Sequence, residues 1–188
     1  PPSPIISCLG KINDMSNVVT MSFKSTDSKI FMIGKRKDEL GGSLYYSLHK
    51  ELGANVPNPN IDEVKNQIYA ITDSIDSNLI NACHDISDGG VAVTLSEMTF
   101  ENNIGCSVNV PGELSTEKLL FSETGGFIIE VINSKVDAIK KIFQSYNLEI
   151  DLIGKTTKKK YIKINDKIDL NIEEAKKLWL SGLRDKIK

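Results

Sequence analysis

Short apolar runs near the start of the chain have the length and composition of β-strands. They lie at residues 5–12, 18–23 and 29–33, and the last two flank the polar turn "KSTDSK", which predicts a hairpin. From Leu40 to Leu52 a leucine recurs at every fourth residue. This spacing predicts a helix that begins near Ser43 and ends at Gly53.

A second, longer helix is predicted to begin after a Pro-containing loop and to run to Ile75, with Asn60 or Asp62 as its N-cap. Apolar residues recur along it at helical spacing. We interpret this stripe as the face that packs on the core, and it consists of Ile61, Val64, Ile68, Ile71 and Ile75.

A strand, a corner and a helix are predicted in the middle of the chain. An apolar run at residues 79–83 leads into the sequence "HDISDGG" at residues 84–90. Val91, Leu95 and Met98 then recur at spacings of four and three, which is the pattern of a helix.

The second half of the chain alternates between short strands and helices. Strands are predicted at residues 106–110, 127–132, 150–153, 161–164 and 168–170, and helices at residues 117–121, 134–144 and 172–183. Because hairpins are predicted at both ends, a mixed sheet covered by helices is favoured over a purely parallel sheet. The predicted fold class is α+β.

Composition and charge narrow the function classes. The chain has 188 residues, 40% of them hydrophobic, which is enough for one domain spanning residues 1–188. A net charge of −2 gives no overall attraction to nucleic acid or to a membrane surface, and no apolar run approaches the ~20 residues of a membrane span. The one dense basic stretch, residues 155–163, is interpreted as a solvated turn rather than a phosphate-binding patch.

The three cysteines, Cys8, Cys83 and Cys106, are widely spaced and form neither a zinc motif nor a disulfide framework. We expect free thiols and a cytoplasmic protein. The chain begins with Pro1 and Pro2 and has no initiator Met, so we expect it to be part of a longer polypeptide.

Three Gly-rich segments are candidates for chemistry: residues 41–43, 85–90 and 122–126. The N-terminus of a helix attracts phosphate, but Asp85 and Asp88 would repel a bare phosphate. A Mg²⁺ ion between the carboxylates and the phosphate would remove this conflict, with Asp85 as the ligand and Asp88 either capping the helix or interacting with its dipole. The alternative is that all these residues only cap and shape the helix start, and neither GxxxxGK[ST] nor GxGxxG is present.

The turn "SETGG" at residues 122–126 has two interpretations as well. Glu123 is suited to ligating a metal or bonding a ribose hydroxyl, while Ser122, Thr124 and Gly125 are suited to donating to a phosphate. The alternative is a turn with no ligand.

Taken in order, five segments resemble the C-terminal part of the phosphoribosylformylglycinamidine synthase family, also called formylglycinamide ribonucleotide amidotransferases. They are "PIISCLGKIND", "IGKRKDELGGSLYY", "CHDISDGGVAVTLSEMTF", "LLFSETGGFIIEV" and "DLNIEEAKKLW", which together extend from about residue 4 to 179. The corner "HDISDGG" is similar to that family's pattern, whereas aminoimidazole ribonucleotide synthetase, selenophosphate synthetase and the hydrogenase-maturation protein of the same superfamily differ there.

The resemblance implies the C-terminal domain of the second half of an ATP-dependent carbon-nitrogen ligase. The family makes formylglycinamidine ribonucleotide from formylglycinamide ribonucleotide, ATP and ammonia in purine biosynthesis, with Mg²⁺ balancing the charge of the phosphates. A glutaminase domain or subunit supplies the ammonia. The implied fold is the C-terminal domain of the aminoimidazole ribonucleotide synthetase superfamily, a mixed sheet with helices on both faces.

The resemblance also implies roles for single residues. Asp85 matches a Mg²⁺ ligand, and Ser87, with Gly89 and Gly90, matches a nucleotide-binding corner at an auxiliary site of the larger members. For phosphate or substrate contact, the candidates are Glu123, Thr124 and Gly125, although this copy reads "ETG" where the first-half turn reads Glu-Ser-Gln.

No catalytic residue is expected in this chain, because the family's catalytic His, main ATP-binding carboxylates and ammonia-supplying Cys match no part of it. We therefore expect the chain alone to be inactive and to need the N-terminal domains for firm binding of ATP or ADP. Expected partners are the rest of the synthetase and the glutaminase, and the apolar sheet edges allow a homodimer. The alternative is a free-standing nucleotide-binding or dimerisation module without synthetase activity.

Overall fold

The computed structural model of the chain describes residues 6–12 and 14–184. Its strands form one sheet of seven strands in the order β2-β4-β1-β5-β3-β6-β7. β3 and β6 are parallel, and the other neighbouring pairs are antiparallel. The strands are β1 Lys29–Ile33, β2 Ala82–Asp85, β3 Gly105–Val108, β4 Phe127–Val131, β5 Ile150–Thr157, β6 Tyr161–Ile164 and β7 Ile168–Asn171.

Helices cover both faces of this sheet. One hydrophobic cluster packs α3, α4 and α6 against one face, and a second packs α2 and α5 against the other. The helices are α1 Leu44–Leu48, α2 Ile61–Asp76, α3 Gly90–Phe100, α4 Thr116–Phe121, α5 Val136–Ser145 and α6 Ile172–Arg184, with short 3-10 helices at Met15–Asn17 and Asn133–Lys135. The mixed sheet predicted from the sequence is confirmed.

The sequence of β1 explains why both faces must be covered. Successive side chains of a strand point to opposite faces. Ile30 and Met32 lie in the cluster of α3, whereas Phe31 and Ile33 lie in the cluster of α2, and all four are at most 1% exposed. Burying a side chain of this size contributes roughly 2 kcal/mol to stability, so neither face of β1 can be left in water.

The predicted N-terminal hairpin is wrong. Residues 18–23 are not a strand, and β1 pairs instead with β4 on one side and β5 on the other. Both edges of β1 are therefore occupied. The segment runs beside β2, where the carbonyl of Thr20 accepts from the N–H of Cys83 at 3.1 Å.

The predicted first strand, residues 5–12, is not a strand either over its described part, and Ile5 lies outside the described residues. Ile6 is 91% exposed and Leu9 is 97% exposed. Without a buried face, apolar alternation alone does not produce a strand.

Two helical predictions need correction in their details. The first helix begins at Leu44, with Ser43 as its N-cap, but ends at Leu48 rather than at Gly53, because Lys50 adopts a left-handed conformation with φ of 57°. In α2, the predicted apolar stripe is only partly the buried face: Ile71 is buried and Ile75 packs against the same cluster, but Ile61 and Ile68 are exposed. The buried face consists of Gln67, Ala70, Ile71 and Ser74.

The C-terminal half agrees more closely with the sequence patterns. In α5, Ile139 and Phe143 are fully buried, as the spacing predicts. β5 is longer than predicted and extends to Thr157, so the turn to β6 contains only the exposed residues 158–160 of the basic stretch. Within the described residues, no helix combines the length and hydrophobicity that a membrane span requires.

Candidate functional site

The corner after β2 has the strand-to-helix geometry that the sequence predicts. β2 ends at Asp85, and the N–H of Ile86 donates to the carbonyl of Gly126 at 2.8 Å, which places the corner beside the "SETGG" turn. α3 begins at Gly90. The residue before it, Gly89, has φ of 80°, a left-handed conformation that a residue with a Cβ rarely adopts.

Glu123 connects all three Gly-rich segments. Its Oε1 accepts from the N–H of Gly89 at 2.9 Å and from the N–H of Leu44, the first residue of α1, at 2.8 Å. The three segments are far apart in the sequence, and in the structure they lie next to one another. The N–H of Gly89, a candidate donor to a phosphate, therefore already donates to the carboxylate of Glu123.

Asp85 lies on the solvent-exposed side of the site that these three segments form. Its side chain is 60% exposed, and its Oδ1 is 3.1 Å from Nδ1 of His84. Partial burial raises the pKa of Asp85, but hydrogen bonds with Ser87 and His84 outweigh this effect, so its pKa lies below the ordinary value. Asp85 is thus an ionised and accessible carboxylate at neutral pH.

The other polar residues of the corner have different environments. Ser87 is exposed, and its carbonyl accepts from the N–H of Gly90 at 3.0 Å. Asp88 is exposed and makes no side-chain cap to α3, so of its two predicted roles the capping role is wrong and the interaction with the helix dipole stays a prediction. The cap position belongs to Gly89, whose N–H is instead satisfied by Glu123.

Gly90 is required by close packing against the end of α4. A Cβ at this position would lie 2.7 Å from the carbonyl oxygen of Leu120 and 2.8 Å from that of Ser122, and φ is 65°. Real Cβ atoms do not approach backbone so closely, so only glycine fits without a shift of one backbone segment. Gly90 therefore fixes the distance between α3 and the "SETGG" turn.

Thr124 and Gly125 face away from this corner. The hydroxyl of Thr124 donates to Oε2 of Glu39 at 2.7 Å. Both residues line a separate cavity of about 240 Å³, together with Lys35 and Lys37 and residues at the start of α2. The structure thus separates the predicted contact residues, with Glu123 at the corner and the other two at the cavity.

Arg36 binds the backbone of the "SETGG" turn through hydrogen bonds. Its guanidinium donates to the carbonyls of Thr124 and Gly125, and the side chain is almost fully buried. Burial lowers the pKa of Arg36 to about 10, although the nearby charge of Glu39 opposes this effect. The guanidinium still remains charged at neutral pH and fixes two carbonyls at once.

Residues that sequence reasoning missed lie behind Asp85. Nε2 of His84 is 2.8 Å from Oε2 of Glu97, and Oε1 of Glu97 accepts from Nε1 of Trp179 at 2.9 Å. One signal was present in the sequence, because Glu97 is the sole charged residue of α3. A lone carboxylate in an apolar helix needs a partner.

The cysteines take no part in the site. All three are free, and Cys8 is exposed. Burial, with a smaller contribution from Asp85, raises the pKa of Cys83 to about 12, and burial raises the pKa of Cys106 to about 12. These two thiols are therefore poor nucleophiles at neutral pH.

Among residues 6–12 and 14–184, no group of three or more His, Cys, Asp or Glu side chains is arranged to hold a metal ion. Asp85 is the exposed carboxylate that the sequence predicts as a metal ligand, and a cation bound by it would need further ligands. Mg²⁺ meets this condition, since it is commonly bound by one or two carboxylates together with phosphate oxygens and water.

Comparisons with known proteins identify the family and the fold of the chain. A family model described as AIR synthase related protein, C-terminal domain, matches residues 26–167. The chain is similar to phosphoribosylformylglycinamidine synthase subunit PurL of Methanothrix thermoacetophila, with 37% identity over 190 residues that cover 98% of this chain and 25% of that protein. The chain therefore spans about a quarter of the length of this curated relative.

Solved structures share the fold at lower identity. PurL of Thermotoga maritima complexed with FGAR aligns with a TM-score of 0.74 and 15% identity, over 86% of this chain and 30% of that chain. The same protein complexed with ATP aligns with a TM-score of 0.67 and 16% identity, over 86% and 27% of the two chains. The resemblance and the fold class predicted from the sequence are confirmed.

Proposed function

We propose that this chain, which belongs to the family of AIR synthase related protein C-terminal domains, forms part of a phosphoribosylformylglycinamidine synthase. The reaction joins ammonia to formylglycinamide ribonucleotide with consumption of ATP and gives formylglycinamidine ribonucleotide. This places the chain in a carbon-nitrogen ligase of purine biosynthesis. The similarity to a curated relative of that name over 98% of the chain supports the proposal.

The proposal assigns no catalytic residue to this chain. The chain covers a quarter of the similar protein from Methanothrix thermoacetophila, so the remainder of the synthetase supplies the reacting groups and a glutaminase domain or subunit supplies ammonia. The chain alone is expected to form no ADP when it is mixed with formylglycinamide ribonucleotide, ammonia and ATP. The inert thiols of Cys83 and Cys106 fit the reducing cytoplasm where this chemistry would operate.

One observation carries the proposed role of the corner. Asp85 is ionised, accessible and placed at the end of a strand beside the N-terminus of α3. A carboxylate there repels a bare phosphate but attracts a divalent cation that itself binds phosphate. We therefore assign Asp85 as a ligand of Mg²⁺ in a Mg²⁺–nucleotide complex, where the cation neutralises phosphate charge.

Ser87 is the corner residue best placed to contact the nucleotide, because it is exposed and adjacent to the Asp85 carboxylate. Gly89 and Gly90 contribute differently, since they let the chain turn and let α3 begin close to α4. Thr124 and Gly125 contact phosphate or substrate in this proposal only through the cavity that they line with Lys35 and Lys37.

Isothermal titration of the chain with Mg-ATP and Mg-ADP, at concentrations high enough to detect weak binding, tests this assignment, with Asp85→Ala and Asp88→Ala as matched variants. Both side chains are exposed acids of the same corner, but only Asp85 contacts His84. Binding that is lost in Asp85→Ala and retained in Asp88→Ala is the expected result. Equal binding by all three proteins would refute the metal role of Asp85.

A further inference from the structure

A row of polar contacts extends from Asp85 into the layer of α3 and α6. Oδ1 of Asp85 is 3.1 Å from Nδ1 of His84, and Nε2 of His84 is 2.8 Å from Oε2 of Glu97. Nε1 of Trp179 on α6 then donates to Oε1 of Glu97 at 2.9 Å. Side-chain exposure is 60% at Asp85, 13% at His84 and 22% at Glu97, so the middle of the row is shielded from solvent, whereas Trp179 at its far end is 52% exposed.

α3 holds the end of β2 at two points through one face. The hydroxyl of Thr94 lies 3.2 Å from the backbone carbonyl of Asp85 and 3.0 Å from that of Gly90, so it shares its hydrogen between the end of β2 and the start of α3. Glu97 lies three residues further on, and residues at this spacing share a helix face. Thr94 therefore fixes the backbone of Asp85, while Glu97 reaches its side chain through the ring of His84.

The imidazole ring transmits orientation because its two nitrogens lie in one rigid plane and point in different directions. Each nitrogen faces a carboxylate oxygen, so both contacts are hydrogen bonds when both nitrogens carry hydrogen, and the bond from Nε2 to Glu97 then keeps Nδ1–H directed at Asp85. Glu97 is itself held by the indole of Trp179, whose ring packs on Phe100 at a centroid distance of 5.7 Å. An exposed aspartate that would otherwise sample several rotamers is thereby restricted.

We propose that Glu97 is a positioning residue that acts through His84 to hold the carboxylate of Asp85 in one orientation for the divalent cation. The inference rests on the proposed function, because only that function gives the orientation of Asp85 a use. In metal sites, partners behind a ligand commonly set its direction and its affinity in this way.

A test without metal examines the orientation itself. Three-bond couplings between Hα and Hβ report the rotamer of Asp85 by NMR in the 188-residue chain. One dominant rotamer is expected in the wild type, averaged couplings in Glu97→Ala, and largely restored couplings in Glu97→Gln, whose amide oxygen can still accept from His84. Glu101→Ala is the matched control, since Glu101 is an exposed acid just beyond α3.

Unchanged Asp85 couplings in Glu97→Ala would overturn the positioning role. The chain has one Trp, so its indole N–H resonance shows whether a variant is folded and whether the bond to Glu97 is lost. If Glu97→Ala does not fold, Trp179→Phe decides the question, because it removes the donor that holds Glu97. Trp179→Phe should then broaden the rotamer distribution of Asp85, and an unchanged distribution would overturn the proposal.

A second test uses Mn²⁺ in the presence of ADP, followed by electron paramagnetic resonance. Glu97→Ala should weaken Mn²⁺ binding by about tenfold and Glu97→Gln by less, as expected for a partner behind a metal ligand. Asp85→Ala should abolish this binding, and Glu101→Ala should leave it unchanged. Equal Mn²⁺ binding by wild type and Asp85→Ala would refute the metal site, whereas the couplings would still decide whether Glu97 positions Asp85.

Discussion

Oε1 of Glu123 accepts a hydrogen bond from the N–H of Gly89 at 2.9 Å, just before the first residue of α3. The same oxygen accepts from the N–H of Leu44 at the start of α1. A negative side chain at two helix starts is favourable, because both ends present free N–H groups and partial positive charge. Glu123 therefore acts first as an internal link between three chain segments.

Replacing Glu123 by alanine should destabilise the protein by about 2 kcal/mol, because two N–H groups lose a charged acceptor. Glu123→Gln should cost roughly half as much, since the amide oxygen still accepts but carries no charge. Urea unfolding followed by circular dichroism measures both values.

Glu113→Ala is the control for this pair, because Glu113 is an exposed acid in the loop before α4. It should change the free energy of unfolding by less than about 0.5 kcal/mol. If Glu123→Ala also lowers the free energy of unfolding by less than about 0.5 kcal/mol, the hydrogen bonds to Gly89 and Leu44 do not hold the segments together.

Gly90→Ala should destabilise the protein by about 3 kcal/mol, because the new Cβ would meet the backbone of Leu120 and Ser122 at a left-handed φ. Gly125→Ala is the matched control, since a Cβ at Gly125 has no atom within 4 Å. Thermal unfolding of the two variants compares them directly. Similar melting temperatures would show that α3 and α4 can move apart at little cost.

Local patterns predicted the fold where each segment buries its own apolar face. β6 and the inward residues of α5 agree with the prediction for this reason. The hairpin prediction failed because strand pairing depends on which edges remain free, and β1 has both edges occupied by distant strands. Such pairing is set by the whole sheet and cannot be read from neighbouring residues.

In the candidate site too, local geometry could be predicted from the sequence and long-range contacts could not. The corner at residues 84–90 was predicted from its strand, turn and helix patterns, and the structure has that geometry. The link from Glu123 to Leu44 joins residues 79 positions apart, and no periodicity encodes such a contact. Glu97 was missed because its partner His84 belongs to another element, although its isolated charge in α3 was visible.

Thiol labelling should distinguish Cys8 from the other two cysteines. Cys8 is exposed, whereas the pKa values of Cys83 and Cys106 are raised to about 12 by burial, which leaves about one thiolate in 10⁴ at pH 8. One thiol per chain should react quickly with iodoacetamide, and three should react in urea. Cys8→Ser should remove the fast reaction, and rapid labelling in that variant would show that β2 or β3 opens readily.

The final prediction concerns the pH dependence of stability. Burial raises the pKa of Asp85, but bonds with Ser87 and His84 prevail and hold that pKa below the ordinary value of 3.8. A carboxyl group whose pKa falls on folding stabilises the protein when ionised. Its contribution is complete above the unfolded-state pKa and is lost as pH falls through the lower folded-state pKa.

The wild type should therefore be more stable than Asp85→Asn near neutral pH, and this difference should shrink below about pH 4. Urea unfolding at several pH values measures the difference, with Asp88→Asn as the control because Asp88 is an exposed acid of the same corner. A difference between wild type and Asp85→Asn that stays constant or grows in acid would show that His84 and Ser87 do not favour the charged form. The bonds that are proposed to orient the Asp85 carboxylate for a cation would then be too weak to favour its charged form.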